Sequence, residues 1–161
     1  MTLEEYNKCV DLFSDGAYRF ILKNIKDEEK ARDIIQDSFE KLWINVENVS
    51  FLKVKSYLFT TAYHTMIDLI RREKKKVDFN QVNVGKYSHS EQYSDVKEIL
   101  DEAIAKLNDV QRSVLILRDF EGYSYDEIAK ITELNESQVK VYIYRARVFL
   151  KEYIGSLETI I

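Results

Sequence analysis

Proline is absent from the 161-residue chain and glycine occurs four times. All-β folds close their many tight turns with such residues, so their scarcity excludes sandwiches and barrels and leaves a mostly helical chain. The single cysteine, Cys9, cannot form an internal disulfide or a thiolate cluster, and its apolar helical spacing predicts a small core residue. His64 and His89 are the only imidazoles, no HExxH or ExxH spacing occurs, and no glycine-rich phosphate loop follows a strand pattern. The residues therefore point to no catalytic centre, no metal and no cofactor. No apolar run approaches the roughly 18 residues of a membrane span, and MTLEEYNKCV has acids where a secretory leader needs bases. A cytoplasmic protein is expected.

Apolar residues make up 45% of the chain and charged residues 32%, a mix that buries a core and keeps a charged surface. The net charge of −4 is unevenly spread. Residues 51–80 hold seven bases against three acids, whereas residues 1–50 hold seven against eleven. Residues 81–105 are acidic and residues 106–161 sit at −1. One short basic stretch lies in an otherwise acidic chain.

Periodicity gives the organisation. Leu3, Tyr6, Val10, Phe13, Ala17, Phe20 and Ile21 recur at three and four, as do Ala31, Ile34, Ile35, Phe39 and Leu42, so two amphipathic helices are expected. Asp27 followed by Glu28 and Glu29 suits the start of the second. A polar connection over residues 45–50 leads to a third helix through Tyr57, Leu58, Ala62 and Ile70 that runs into Arg71, Arg72, Lys74, Lys75 and Lys76. From Val77 the periodicity fades into VDFNQVNVGKYSHSEQY, a candidate linker over 77–95, and helical spacing resumes at Val96, Ile99, Leu100, Ala103 and Ile104. The expected fold is all-α, with two small helical modules on a flexible tether.

Residues 107–150 carry the most information and read as three helices. Ser124 stands three residues before Glu127, the capping-box spacing, and Ile128, Ala129 and Ile131 give that helix its inner face. After a break at about 132–135, Asn135 can cap a helix whose Val139, Ile143, Ala146 and Leu150 share a narrow arc. Two short helices about a tight turn form a helix-turn-helix pattern. Glu133 occupies the turn position where glycine is usual, because that residue takes a positive φ. Opposite the core arc lie Ser137, Val141, Tyr144, Arg145 and Val148, flanked by Gln138, Lys140, Arg147 and Lys151. Arg or Lys reads guanine, Gln reads adenine and an apolar side chain meets a thymine methyl in the major groove. A helical hairpin with a solvated basic face is the plainer alternative.

A second constellation spans 51–76, where Phe51, Tyr57, Phe59 and Tyr63 interleave with Lys53, Lys55, His64, Arg71 and Arg72. Rings beside cations suit unpaired nucleotides, stacking being worth about 1–3 kcal/mol per base. The same rings also suit a core, and the spacing leaves both readings open.

The run DIIQDSFEKLW at 33–43, then SYLFTTAYHTMIDLIRR at 56–72, then the C-terminal motif, resembles the group IV, or extracytoplasmic-function (ECF), bacterial sigma factors of the sigma-70 family. The resemblance implies a sigma-2-like unit over 1–76, a linker over 77–95 and a sigma-4-like helix-turn-helix unit over 96–161. It implies binding to RNA polymerase core and promoter DNA, no small-molecule substrate, and an anti-sigma factor as a further partner. In such proteins the positions matching Asp33, Gln36, Asp37, Glu40 and Trp43 face the polymerase. Independently, with Ala31, Ile34, Ile35, Phe39 and Leu42 turned inward, those acids and the amide point out toward any basic partner. Asn48, Lys53, Lys55, Tyr57, His64, Arg71 and Arg72 match the minus-ten-facing segment. Ser137, Gln138, Lys140, Val141, Tyr144, Arg145 and Arg147 match the minus-thirty-five-facing helix. The alternative is an autonomous helix-turn-helix regulator, but such a protein usually carries a basic DNA-binding domain, and residues 106–161 are at −1.

Overall fold

Helix caps punctuate the chain where the sequence puts polar residues ahead of apolar stripes. The computed structural model describes residues 1–80 and 96–160. Thr2 and Glu5 form a capping box that opens α1 (Leu3–Ile25), and Lys26 in the left-handed region, φ 59°, closes it. The Asp27 carboxylate accepts the Lys30 N–H and starts α2 (Glu28–Ile44). Two single turns of 3-10 helix, Val46–Asn48 and Phe51–Lys53, bridge to α3 (Val54–Asn80). Within that bridge Val49 is buried, which anchors a connection that reads as merely polar in the sequence.

The remaining helices are α4 (Val96–Lys106), α5 (Asp109–Leu115), α6 (Tyr125–Thr132) and α7 (Glu136–Ile160). Asn108 caps α5 by accepting the Gln111 N–H. A π-helical turn, Ile116–Phe120, extends α5 and ends where the Glu121 N–H donates to the Ile116 carbonyl. Ser124 and Glu127 form the expected capping box. Glu133 has φ 61° and ψ 35°, so a residue with a Cβ holds the left-handed turn. Asn135 and Gln138 exchange backbone and side-chain hydrogen bonds at the head of α7. The all-α expectation holds, and among the described residues no strand occurs.

The two inner stripes are buried as the periodicity predicts, with Cys9, Ala17, Phe20 and Ile21 from α1 and Ala31, Ile34, Ile35, Phe39 and Leu42 from α2. Leu3 and Val96 depart from it and are largely exposed, because each is the first residue of its helix, where the stripe runs past the packed layer. The helix expected to end near Lys76 continues to Asn80, since KKKVDFN contains neither proline nor glycine to stop it. The rest of the expected linker, 81–95, lies outside the described residues. Buried side chains of α1–α3 and of α5–α7 join in one contiguous apolar cluster, with α3 packed on α6 and α1 on α5.

Candidate polymerase and nucleic-acid interface

The outer face of α2 borders a groove against α3. Asp33, Gln36, Asp37 and Glu40 line it with Thr65, Leu69 and Arg72 opposite and Ile34 beneath. Asp33, Gln36 and Glu40 are exposed, and Asp37 is braced by Lys41 at 3.3 Å. Lys41 also donates to the Thr65 hydroxyl at 3.2 Å, and Lys30 pairs with Glu73, so two α2 cations tie the helices together. Asp33 and Glu40 have no ion-pair partner among the described residues. Trp43 is 48% exposed and stands edge-on to Tyr6, with centroids 5.0 Å apart, while the Tyr6 hydroxyl donates to the Phe39 carbonyl. The face therefore combines uncompensated carboxylates with one supported aromatic ring.

The residues expected at the minus-ten element divide into two groups. Asn48, Lys53, Arg71 and Arg72 are exposed, and the Arg72 Nε donates to the Asp68 carbonyl at 3.4 Å. The half-buried Tyr57 accepts from the Asn45 amide at 3.1 Å. Lys55 and His64 instead face the helix-turn-helix half of the molecule. The Lys55 ammonium lies 4.4 Å from the Tyr123 ring centroid, and His64 Nε2 lies 3.6 Å from the Glu133 carboxylate without a hydrogen bond. Phe59 and Tyr63 are buried, so the core reading wins for these two rings, and burial pushes the Tyr63 phenol up. Partly buried Phe51 packs against the same core.

Polar residues outside the sites expected from the sequence hold the two halves together. Arg19 gives Glu121 two hydrogen bonds, at 2.9 and 2.8 Å, and the Glu121 side chain is only 5% exposed. The Ser113 hydroxyl donates to Asn24 Oδ1 at 3.0 Å, and the Asn24 amide donates to the Phe20 carbonyl, all in the interior. Tyr123 meets Phe59 edge-on at 5.2 Å, and Lys23 lies over Phe120 at 4.5 Å. Lys74 pairs with Asp109 at 2.9 Å, and Asp109 in turn accepts from Arg112. Arg112 is buried and donates to the carbonyls of Ile104, Ala105 and Leu107, which closes the turn between α4 and α5. The one usable signal was Asn24, a polar residue three positions after Ile21 on the inner stripe of α1.

On α7 the outward arc is as expected. Ser137, Gln138, Lys140, Val141, Tyr144, Arg145, Arg147, Val148 and Lys151 are exposed over a core of Val139, Ile143 and Ala146. Their engagement differs. The Gln138 side-chain oxygen accepts the Asn135 N–H, which ties the amide to the head of α7 and leaves its nitrogen and one oxygen lone pair for a base. Arg147 is held by Asp119 through Nε at 3.1 Å and Nη2 at 2.5 Å, and that carboxylate raises its pKa. Arg145 has no partner among the described residues and stands beside Tyr144, which is 68% exposed. The arc so formed has one free guanidinium, a hydroxyl, a ring and two valines, a set suited to base edges and methyl groups in a groove.

Residues 9–76 match the family described as Sigma-70 region 2, and residues 97–150 match Sigma-70, region 4. The chain is 30% identical over 156 residues to the ECF RNA polymerase sigma factor SigM of Bacillus subtilis, covering 94% of each. It is 36% identical over 134 residues to the RNA polymerase sigma factor YlaC of the same organism, covering 77% of each. SigV, also from Bacillus subtilis, is 31% identical over 141 residues, covering 86% of this chain and 84% of its own. The fold is that of the sigma factor RpoE solved with the anti-sigma factor NepR from Bartonella quintana, with a TM-score of 0.80 and 24% identity, covering 95% of this chain and 98% of that one. These matches give the autonomous-regulator alternative no support. No described helix is long and apolar enough to cross a membrane. Two sigma-70 regions in order on a helical scaffold, together with relatives such as SigM at 30% identity over nearly the whole chain, make the chain a member of the ECF (group IV) sigma factors, the subunits that direct RNA polymerase to promoters and initiate transcription.

Proposed function

We propose that α2 docks on RNA polymerase core through Asp33, Gln36, Asp37, Glu40 and Trp43. The bridge carrying Asn48 and Lys53, with Lys55, Tyr57, His64, Arg71 and Arg72 of α3, meets the minus-ten element. The arc of α7 from Ser137 to Arg147 meets the minus-thirty-five element. Residues 1–76 and 96–161 act as separate units joined through 77–95. The observation that carries this reading is the α2 face, where Asp33 and Glu40 stand unpaired among the described residues above an apolar floor. Asp33 and Glu40 form no ion pair among the described residues although Lys30 and Arg72 border the same groove, and surface acids left unpaired in this way favour a basic partner.

In the joined arrangement Lys55 and His64 are occupied by Tyr123 and Glu133, so promoter engagement requires the halves to part. Docking α2 on a large partner supplies the means, because tethering raises the effective concentration of the C-terminal unit beside its DNA. The chain itself contributes no catalytic group, metal or cofactor, takes no small-molecule substrate and acts in the cytoplasm. An anti-sigma factor is its regulatory partner in this reading, by extension from the Bartonella protein. Run-off transcription with purified core, with and without the chain, tests the whole. Asp37→Arg is expected to abolish co-purification with core at unchanged helical content, and retained binding would overturn the docking assignment.

A further inference from the structure

Two departures from ordinary local structure meet at one contact between the halves. The first is on α3, where His64 Nε2 is the one buried side-chain nitrogen or oxygen among the described residues with no hydrogen-bond partner. Buried polar atoms are rarely left so, because desolvation without a partner is costly. The second is the turn between α6 and α7, where Glu133 holds φ 61° although a side chain disfavours that backbone. A glycine would relieve the turn but bring no carboxylate. Glu133 brings one to 3.6 Å from His64 Nε2.

The other charges around this pair are accounted for. From α6, Lys130 is paired with Asp126 at 3.3 Å, and from α2, Lys41 is taken up by Asp37 and the Thr65 hydroxyl. From α5, Asp109 is held by Lys74 and Arg112. On α3 itself Tyr63 stands edge-on to the imidazole at 5.5 Å, and Asp68 and Arg71 follow one and two turns on. Glu133 is therefore the carboxylate that a proton on His64 meets. A neutral imidazole gains little from it, whereas an imidazolium turns the same approach into an ion pair between α3 and the helix-turn-helix. Histidine is the side chain whose ordinary titration falls between about pH 5 and 8.

We propose that His64 and Glu133 form a proton-operated latch, in which protonation of His64 tightens the C-terminal half on α3 and deprotonation loosens it. The added hold is present at acid pH and is lost as pH rises through the histidine range. The two side chains are 41% and 73% exposed, so the latch biases the joint without locking it. The neighbouring joint contacts do not share this behaviour: the buried Asn24–Ser113 pair cannot titrate, and despite burial the hydrogen bonds from Lys74 and Arg112 keep the Asp109 carboxyl below its ordinary value, hence ionised throughout that range. The consequence for transcription rests on the reading that promoter engagement requires the halves to part. Acidification then keeps more of the chain in the form whose minus-ten face is covered.

The test places fluorophores on the full chain through Asp11→Cys and Lys151→Cys and reads parting of the halves by energy transfer in urea, at about pH 5.5 and about pH 8. The constant for joining should be about two- to fivefold larger in wild type than in Glu133→Gln at the lower pH, and equal at the higher. His64→Gln should match Glu133→Gln at both. His64→Lys, charged at both, should keep its advantage over Glu133→Gln at the higher pH. His89→Gln removes the other imidazole of the chain and should behave as wild type. An equal change between the two pH values in wild type and Glu133→Gln would overturn the latch, as would a pH response abolished by His89→Gln alone. Run-off transcription with limiting core then separates the latch from its consequence. Near the lower pH, wild type should need about two- to fivefold more chain than Glu133→Gln for half-maximal transcript, with no difference at the higher. A latch seen by energy transfer without that difference would overturn the reading that the halves must part.

Discussion

Replacing Arg19 by alanine should loosen the joint between α1 and the segment ahead of α6 by about 2 kcal/mol. Arg19 is 54% exposed, so its own side chain gains little from an ion pair. The loss falls on Glu121, whose carboxylate is 5% exposed and accepts both guanidinium hydrogen bonds. Stranding a buried charged acceptor costs about 1–3 kcal/mol. The middle of that range is about thirtyfold in the equilibrium between joined and separated halves. Glu121→Gln should cost less, because no buried charge remains, and adding Arg19→Ala to it should cost little more. The difference is the coupling energy of the pair, read from a double-mutant cycle. Fluorophores on cysteines placed at the exposed positions Asp11 and Lys151 report separation by energy transfer, and native Cys9 is buried away from the label. The urea concentration at which the fluorophores part should fall for Arg19→Ala. An equal fall in the Glu121→Gln background, or no fall at all, would show that the pair does not hold the halves together.

Glu133→Gly should raise the melting temperature by about 2–4 °C, since a Cβ at φ 61° costs about 1 kcal/mol; a melting temperature at or below wild type in calorimetry counts against strain at that turn. Ser113→Ala removes the donor to buried Asn24 and should cost about 1–3 kcal/mol in urea unfolding, whereas the double variant with Asn24→Leu should recover part of the loss. Burial pushes the Asp109 carboxyl up, but hydrogen bonds from Lys74 and Arg112 outweigh it and leave the group below its ordinary value. The stabilisation from Asp109 is therefore complete above the unfolded value and disappears as pH falls through the lower folded one. Lys74→Gln should flatten the acid limb of a stability-against-pH curve, and an identical limb in that variant would refute the linkage.

Local rules were legible wherever one residue type suffices. Asp27, Ser124 and Asn135 cap helices because each offers a side-chain oxygen just ahead of an apolar stripe, and Glu133 takes the left-handed φ at the turn between α6 and α7 where glycine is usual. The arc of α7 followed from spacing alone. What spacing could not give was the joint between halves, because Ser113 and Glu121 look like ordinary helical or turn residues, and Asn24, though polar on an inner stripe, names no partner, until tertiary packing brings each within 3 Å of a residue some hundred positions away. Phe59 and Tyr63 were ambiguous for the same reason: α3 buries one face on α1 and α2 and another on α6, so rings that look free on an isolated helix become core. The individual roles of Lys55 and His64 were obscured likewise, since their contacts come from Tyr123 and Glu133 in the other half.

The π-turn at Ile116–Phe120 gives the chain a form of memory for length. Its closing bond runs from the Glu121 N–H to the Ile116 carbonyl, one residue wider than an α-turn, and the Tyr123 N–H follows to Leu117. Remove any one residue between 116 and 120 and the turn can relax to α, swinging everything beyond it by about 100°. Asp119, Glu121 and Tyr123 would then miss Arg147, Arg19 and Phe59 together, a triple loss that no single substitution inflicts.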